Sequence, residues 1–141
     1  MKAVYRGWHS QKRIMFSPEE MARDQLTLMP DGSGFINVSS THTRLSIPLD
    51  PEIFIPLAYI GLDASEGDRI FMGDIIRYRE SMLDNWNIGV VSYHADKGYP
   101  AFDVVPEVDC DSNGLSYIKA CCDIEIMGNI YQNPEMDRSV L

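Results

Sequence analysis

Glycine and proline divide this chain into short segments, and that division limits the fold more than any other feature. The sequence contains 10 glycines and 8 prolines. Pro48, Pro51 and Pro56 fall so close together that no long helix crosses this stretch. Short apolar and β-branched segments lie between the interruptions, at intervals of about ten residues. This pattern predicts a mainly β (α+β) fold: an N-terminal mixed part with one short helix, residues 1–50, and a C-terminal small β-barrel part, residues 51–141.

Alternation of apolar and polar residues places the individual strands. The pattern predicts strands at residues 3–8, 13–16, 25–29, 35–39, 57–60, 69–78, 87–94, 101–105 and 117–130. A helix is predicted to begin at Ser17, because this residue suits an N-cap and Pro18 suits the first helical position. Glu20 stands where a capping box requires it, and we expect the helix to end near Asp24. Residues 109–114 are expected to form a polar loop.

Size and composition indicate the class of protein. A chain of 141 residues is expected to form one domain. Three cysteines, two of them adjacent, form a poor disulfide framework, so we expect reduced thiols and a cytoplasmic location. No secretory signal and no apolar run long enough to cross a bilayer is recognisable, so no membrane association is expected. The formal net charge of −9 opposes non-specific binding to phosphate backbones.

Charge is distributed unevenly along the chain. The first thirteen residues hold four basic side chains and no acid, whereas residues 103–137 hold eight acids against Lys119 alone. A solvated acidic face, with Lys and Arg protecting a sheet edge, would explain this distribution. The alternative is head-to-tail attraction between subunits, or capture of a basic partner.

One loop resembles the opening of a calcium site. Asp109, Asp111 and Asn113 stand at positions one, three and five of an EF-hand pattern, followed by Gly114. Position twelve requires a bidentate Glu and is Ala120, and the flanking helices are missing from the predicted elements. An Asx-rich turn is the competing interpretation. No cofactor is predicted, and no catalytic residues are assigned.

A second candidate is a cluster of basic and aromatic residues. Arg77, Tyr78 and Arg79 are consecutive, and Trp86 is close in sequence. Small barrels bind single-stranded nucleic acids through aromatic side chains beside basic groups. Core packing is the competing interpretation, because large aromatic residues dominate cores.

Three stretches resemble the YopX family of phage and prophage proteins. The first is Val4–Trp8, the second is the long signature from Tyr59 to Ile76, and the third is Ile126–Met136, which reads IMGNIYQNPEM. They occur in the family's order. This chain departs from the family at Phe71-Met72, where a Tyr-Glu pair is usual, and at His9, where an Asp is usual. The resemblance implies a β-rich, oligomer-forming protein of mobile-element origin with an SH3-like barrel in its C-terminal part, and it implies no particular activity.

The residues of these signatures have structural interpretations. Glycines suit tight turns and bulges, and Asp or Asn side chains bond to nearby backbone amides. The motif residues interpreted in this way are Gly61, Gly73, Asp74, Gly128, Asn129, Tyr131, Asn133 and Pro134.

The sequence therefore leads to a main hypothesis and two alternatives. The main one is a prophage-derived, non-enzymatic scaffold or interaction module that binds copies of itself, or a host or phage protein. The first alternative is a nucleic-acid-associated module using the cluster Arg77, Tyr78, Arg79 and Trp86. The second is a metal-dependent enzyme around Asp109, Asp111 and Asn113.

Overall fold

A computed structural model describes residues 3–38, 49–94, 101–108 and 113–137 of the chain. The described residues are mainly β with few helices, which confirms the predicted class. None of their helices is long and apolar enough to cross a membrane. The strands are β1 (Tyr5–His9), β2 (Ile14–Phe16), β3 (Leu26–Leu28), β4 (Phe35–Asn37), β5 (Phe54–Asp63), β6 (Arg69–Phe71), β7 (Asp74–Arg79), β8 (Asn87–His94), β9 (Ala101–Val105) and β10 (Asp123–Asn129). The helices are α1 (Pro18–Arg23), α2 (Gly114–Cys121) and a single 3-10 turn, Pro134–Met136.

The chain forms two compact units, Met1–Ala58 and Tyr59–Leu141, with the boundary inside β5. In the first unit β1 pairs antiparallel with both β2 and the first half of β5, so that Trp8 faces Met15 on one side and Ile55 on the other. A separate hairpin joins β3 and β4. The core of this unit consists of Met21 and the aromatic residues Phe35 and Phe54.

Helix α1 begins where the sequence predicts it. The Ser17 side chain accepts a hydrogen bond from the Glu20 amide at 3.1 Å, and Glu20 Oε1 accepts one from the Ser17 amide at 3.2 Å. This reciprocal capping box satisfies two amides that the first helical turn leaves without partners. Met21 is the buried residue of the helix, so α1 closes the aromatic core.

The second unit is built on an antiparallel sheet with the strand order β10-β7-β8-β9. The strands at residues 87–94 and 101–105 have the predicted bounds. Its core is mostly aliphatic, and Ile70, Ile76, Val104 and Ile118 have no exposed surface. The second half of β5 pairs with β6, and Gly61 has a positive φ of 87° where the register of that pair shifts.

Helix α2 corrects the prediction of a strand from residue 117 and of only one short helix. Asn113 caps the helix by accepting a hydrogen bond from the Ser116 amide at 3.2 Å. The buried Asp103 carboxylate accepts from the amides of Leu115 at 3.2 Å and Gly114 at 3.4 Å. A carboxylate at a helix N-terminus stabilises the helix through the free amides and the helix dipole. The strand prediction is wrong because this anchor lies on β9, distant in sequence from the helix.

Candidate functional site

The predicted basic and aromatic cluster is divided by the alternation of strand β7. Arg77 and Arg79 lie on one face of the strand and Tyr78 on the other, because successive side chains of a strand point to opposite faces. Tyr78 is 9% exposed and belongs to the core of the second unit. Placing Tyr78 with the two arginines in a binding cluster is therefore wrong.

The other three residues do come together, and with Glu125 they form what we call the Trp86 cluster. The guanidinium carbons of Arg77 and Arg79 lie 4.3 Å and 4.0 Å from the centroid of the Trp86 ring. Each such cation–π contact contributes about 0.5–2 kcal/mol. Arg77 Nε donates to Glu125 Oε2 at 2.8 Å, and its terminal nitrogen donates to the same oxygen. The charge of Arg77 is thus compensated within the protein.

The connection between β7 and β8 exposes two large apolar side chains. Met82 is 81% exposed and Leu83 is 97% exposed, and we call this pair the apolar tip. The turn is ordered, since the Leu83 amide donates to Ser81 Oγ at 3.0 Å and the Asp84 amide donates to the Ser81 carbonyl at 3.0 Å. Exposed apolar patches often mark interaction surfaces, and this pair is held in place on an ordered turn.

An acidic cavity of about 480 Å³ lies beside this turn. Its wall combines three carboxylates, two tyrosines, an amide, a thiol and one aliphatic residue: Glu80, Asp84, Glu107, Tyr78, Tyr117, Asn87, Cys122 and Val108. Burial raises the pKa of the Cys122 thiol, and the carboxylates of Glu80, Asp123 and Asp84 raise it further. Burial also raises the pKa of Tyr78. Both groups are protonated at neutral pH, so Cys122 lacks the thiolate that a nucleophile needs.

The proposed metal loop falls largely outside the described residues. Asp109 and Asp111 lie there, and only Asn113 of the three candidates is described. Asn113 uses both ends of its amide in the fold, since Oδ1 caps α2 and Nδ2 donates to the Phe102 carbonyl at 2.9 Å. Within the described ranges no group of three or more His, Cys, Asp or Glu side chains has a geometry that would hold a metal ion.

The second signature, Tyr59–Ile76, includes the turn between β6 and β7. Asp74 is 1% exposed, and its Oδ2 accepts a hydrogen bond from the Phe71 amide at 2.8 Å. Gly73 has a φ of 89°, a conformation that strains residues with a side chain. A Cβ at this position would lie 2.8 Å from Cε2 of Tyr131. The Tyr131 ring therefore covers the turn, and the second and third signatures meet here.

The third signature, Ile126–Met136, forms another turn after β10. The pairing of β10 with β7 shifts register between Ile126 and Gly128, and a Cβ on Gly128 would collide with the Asn133 side chain. Asn129 is 4% exposed and its Oδ1 accepts from the amides of Tyr131 at 3.1 Å and Gln132 at 2.8 Å. Asn133 Oδ1 accepts from the Asn129 amide at 3.3 Å, and Pro134 then begins the 3-10 turn. The side chains of this signature hold backbone in place.

The apolar tip and the acidic cavity are absent from the candidates predicted from the sequence. The tip has a readable signal, because Met82 and Leu83 stand between Glu80 and Asp84 in the segment that separates the predicted strands 69–78 and 87–94. The cavity has no local signal. Its residues come from β7, the connection between β7 and β8, β8, the segment after β9, and α2 with the residue that follows it, and only the fold brings them together.

Fold and turns together define a mainly β protein with few helices. A family model described as YopX protein matches residues 4–136. The chain belongs to the YopX family, and the predicted resemblance is confirmed.

Two solved structures are similar to this chain in fold. One is a protein from Enterococcus faecalis, 18% identical, aligned over 96% of this chain and 98% of its own with a TM-score of 0.61. The other is the YopX protein from Bacillus subtilis, also 18% identical, aligned over 98% of this chain and 100% of its own with a TM-score of 0.61. No curated protein matched the chain. At this identity the likeness concerns the fold alone.

Proposed function

We propose that this chain is a prophage-derived, non-enzymatic interaction module that assembles with further copies of itself. The observation that carries the proposal is the apolar tip, in which Met82 and Leu83 are 81% and 97% exposed on an ordered turn. Burying a side chain of this kind contributes about 1.5–3 kcal/mol. The tip thus provides a strong reason for association.

The first unit contains a surface that suits the tip of a second copy. An open cleft of about 600 Å³ is lined partly by the apolar side chains of Phe16, Leu26, Leu49 and Phe54. Lys12 and Arg23 also line this cleft together with one acid, Asp24, and Glu80 and Asp84 flank the tip. Apolar contact and opposite charge are therefore combined on the two surfaces, which favours head-to-tail docking between copies.

An SH3-like barrel in the C-terminal part is the finer fold assignment within this proposal. The β10-β7-β8-β9 order and the packing of α2 against β9 and β10 support it. Ser65 bonds to Ile124 on the outer side of β10, and Asn113 bonds to Phe102 on β9. These bonds cover part of both outer strands, so assembly through the tip is favoured over pairing of sheet edges.

Sedimentation velocity over a wide concentration range tests the proposal. We expect concentration-dependent assembly, and Met82→Ser/Leu83→Ser should weaken it about 100-fold, since about 3 kcal/mol of apolar burial is lost. Ile14→Ser/Met127→Ser removes two exposed apolar side chains from other surfaces and should leave assembly unchanged. A protein that stays monomeric at every concentration would overturn the proposal.

Mixing two variants tests the head-to-tail arrangement. Met82→Ser/Leu83→Ser removes the tip, and Lys12→Glu/Arg23→Glu reverses the charge of the cleft. Each alone should assemble poorly, but a mixture retains one intact tip and one intact cleft per pair. We expect the mixture to form dimers that stop there, because a heterologous interface lacking one half cannot extend. No dimer in the mixture would exclude this arrangement.

Nucleic-acid binding is the second candidate function. The shared face of Arg77, Arg79 and Trp86 favours it, since arginine and aromatic groups together bind single strands. The Glu125 carboxylate on Arg77 and the net charge of −9 weigh against it. A mobility-shift assay at low salt with single- and double-stranded DNA and RNA decides the matter, because electrostatic binding is strongest there.

A further inference from the structure

We propose that a groove in the first unit binds an extended, uncharged peptide segment of a partner protein as an added β-strand. The groove has a volume of about 420 Å³, and its walls are the start of β1, one side of α1, all of β3 and Phe35 of β4. Met21 and Phe35 form its floor and are 4% and 2% exposed. No charged side chain lines the groove within the described part of the chain. Its lining therefore suits apolar and uncharged side chains.

The outer edge of β3 gives independent evidence for a peptide occupant. Backbone hydrogen bonds close the β3–β4 hairpin at both ends, from the Val38 amide to the Gln25 carbonyl at 2.9 Å and from the Met29 amide to the Gly34 carbonyl at 2.8 Å. Opposite residues of an antiparallel pair are alternately bonded and non-bonded. Leu26 and Leu28 fall on the non-bonded positions, so their N–H and C=O groups point away from β4. These groups have no hydrogen-bond partner among the described residues.

Strand β1 presents a second open stretch to the same groove. The Ser10 amide donates to the Ile53 carbonyl at 2.7 Å, so alternation directs the peptide groups of Tyr5 away from β5 and towards β2. Strand β2 ends at Phe16, which pairs with Gly7, and the chain then enters α1. The peptide groups of Tyr5 therefore have no strand neighbour on this side and no hydrogen-bond partner within the described ranges. Open backbone groups beside an apolar groove are the contacts that β-strand addition uses.

The volume limits the occupant to one short segment. A residue in a packed sheet occupies about 160 Å³, from a strand spacing of about 4.8 Å, a sheet spacing of about 10 Å and a rise of about 3.3 Å. The groove therefore accepts about three residues of a single strand. Every described strand of this chain is already paired in a sheet, and a sheet strand from a second copy would bring neighbours for which the groove has no room. An isolated extended segment of another protein fits, with main-chain bonds to β3 and alternate side chains over Met21 and Phe35.

Nuclear magnetic resonance of the full chain, titrated with the capped peptide acetyl-Thr-Val-Ser-Val-Thr-amide, tests the proposal. In the free chain the amides of Leu26 and Leu28 should exchange with solvent rapidly, whereas the Thr27 amide, which faces β4, should be protected. We expect saturable binding that slows the exchange of Leu26 and Leu28 at least about tenfold and leaves that of Thr27 unchanged. Absence of binding, or binding without protection of these two amides, overturns the proposal.

Changes in the peptide separate strand addition from apolar attraction. N-methylation of the valine and serine amides keeps the side chains but removes N–H donors, and it should weaken binding at least about tenfold. Replacing both valines by lysine, or both by glutamate, should weaken binding by a similar factor, because the groove offers no charged partner. Equal affinity of the parent and N-methylated peptides would show that no strand is added and would contradict the proposal.

Variants at one residue of the groove locate the site. Ala22 is exposed on α1 and lines the groove. Ala22→Gln places a longer side chain in the groove and should weaken peptide binding at least about tenfold. Ala22→Ser keeps a small side chain and should bind the peptide as the parent chain does, and thermal unfolding of both variants controls for the fold. Unchanged affinity in Ala22→Gln would place the peptide elsewhere and reject the groove as its site.

The inference does not depend on self-assembly. Met82→Ser/Leu83→Ser should bind the peptide with unchanged affinity while it fails to assemble. Protection of the Leu26 and Leu28 amides in the assembled chain without peptide would show that another copy occupies the groove, and it would overturn the proposal of a separate partner. The two proposals can therefore fail independently.

Discussion

The two compact units of this protein bury different kinds of side chain. Among the described residues of the first unit, every residue that is buried as a whole is glycine or apolar, although the Arg6 Nε atom is also buried, and the core is built on Phe35 and Phe54. The second unit buries three polar side chains, those of Asp74, Asp103 and Asn129. Each of these accepts hydrogen bonds from backbone amides. Apolar packing therefore defines the first core, whereas buried polar anchors fix the turns and the helix of the second.

The units also differ in how far apart in sequence their defining contacts are. The capping box of α1 joins residues three apart, Ser17 and Glu20. The anchor of α2 joins Asp103 to Leu115, twelve residues apart, and Ser65 bonds to Ile124 across 59 residues. Buried polar contacts are costly when one partner is removed, since the other is left without a partner. We therefore expect the second unit to be the more sensitive to single substitutions at its polar residues.

The largest effect is expected for Asp103→Ala. This change leaves the amides of Val104, Gly114 and Leu115 without their carboxylate acceptor. Hydrogen bonds to a charged group contribute about 1.5–3 kcal/mol, so the free energy of unfolding should fall by about 3 kcal/mol. Asp103→Asn retains one oxygen and should lose less. Urea unfolding measures both values.

Fluorescence can assign this loss to one unit, because the chain has 2 tryptophans, Trp8 in the first unit and Trp86 in the second. In a Trp8→Phe background the signal reports the second unit, and in a Trp86→Phe background it reports the first. Asp103→Ala should lower the unfolding midpoint reported by Trp86 in the second unit more than the midpoint reported by Trp8 in the first unit. Equal shifts would show that the units unfold together and would break the comparison.

The same difference explains how much of the fold was predictable. The start of α1 was predicted because its capping box is written in neighbouring residues, and β8 and β9 were predicted as short apolar and β-branched segments between interruptions. Helix α2 was missed because Gly114 is a poor helix former and the stabilising carboxylate lies on β9. The acidic cavity was missed for a related reason, since Tyr78, Glu107 and Cys122 converge only in the folded chain.

A smaller effect is expected from adding a methyl group to one strand glycine in each unit. A Cβ on Gly89 would collide with Val104, which is 0% exposed, and would also lie 3.3 Å from the Val105 carbonyl oxygen. A Cβ on Gly7 would collide with the Phe54 ring and lie 3.0 Å from Met21 Sδ. Overpacking costs about 1–3 kcal/mol. Gly89→Ala should fall near the upper end, because its neighbours include backbone.

Gly7→Ala should cost less than Gly89→Ala, because its close neighbours are the side chains of Phe54 and Met21 and no backbone atom, and side chains can shift more readily than backbone. Thermal unfolding of both variants measures the difference. A larger loss for Gly7→Ala would contradict the view that the first core is the more tolerant one. Gly32→Ala is not a suitable control, since its positive φ of 74° introduces backbone strain.

The smallest effect is expected for Ser17→Ala, which removes one local cap. The Glu20 amide loses its acceptor, and an N-cap of this kind contributes about 1 kcal/mol. Ser17→Asp keeps an acceptor oxygen and should retain most of the stability. Asn113→Ala is the matched change in the second unit, and it removes both the cap on Ser116 and the bond to the Phe102 carbonyl. We expect it to lower the free energy of unfolding by about twice as much, since two bonds are lost instead of one. If urea unfolding gave the larger loss for Ser17→Ala, local capping would matter more than long-range polar contacts, and the contrast between the units would be reversed.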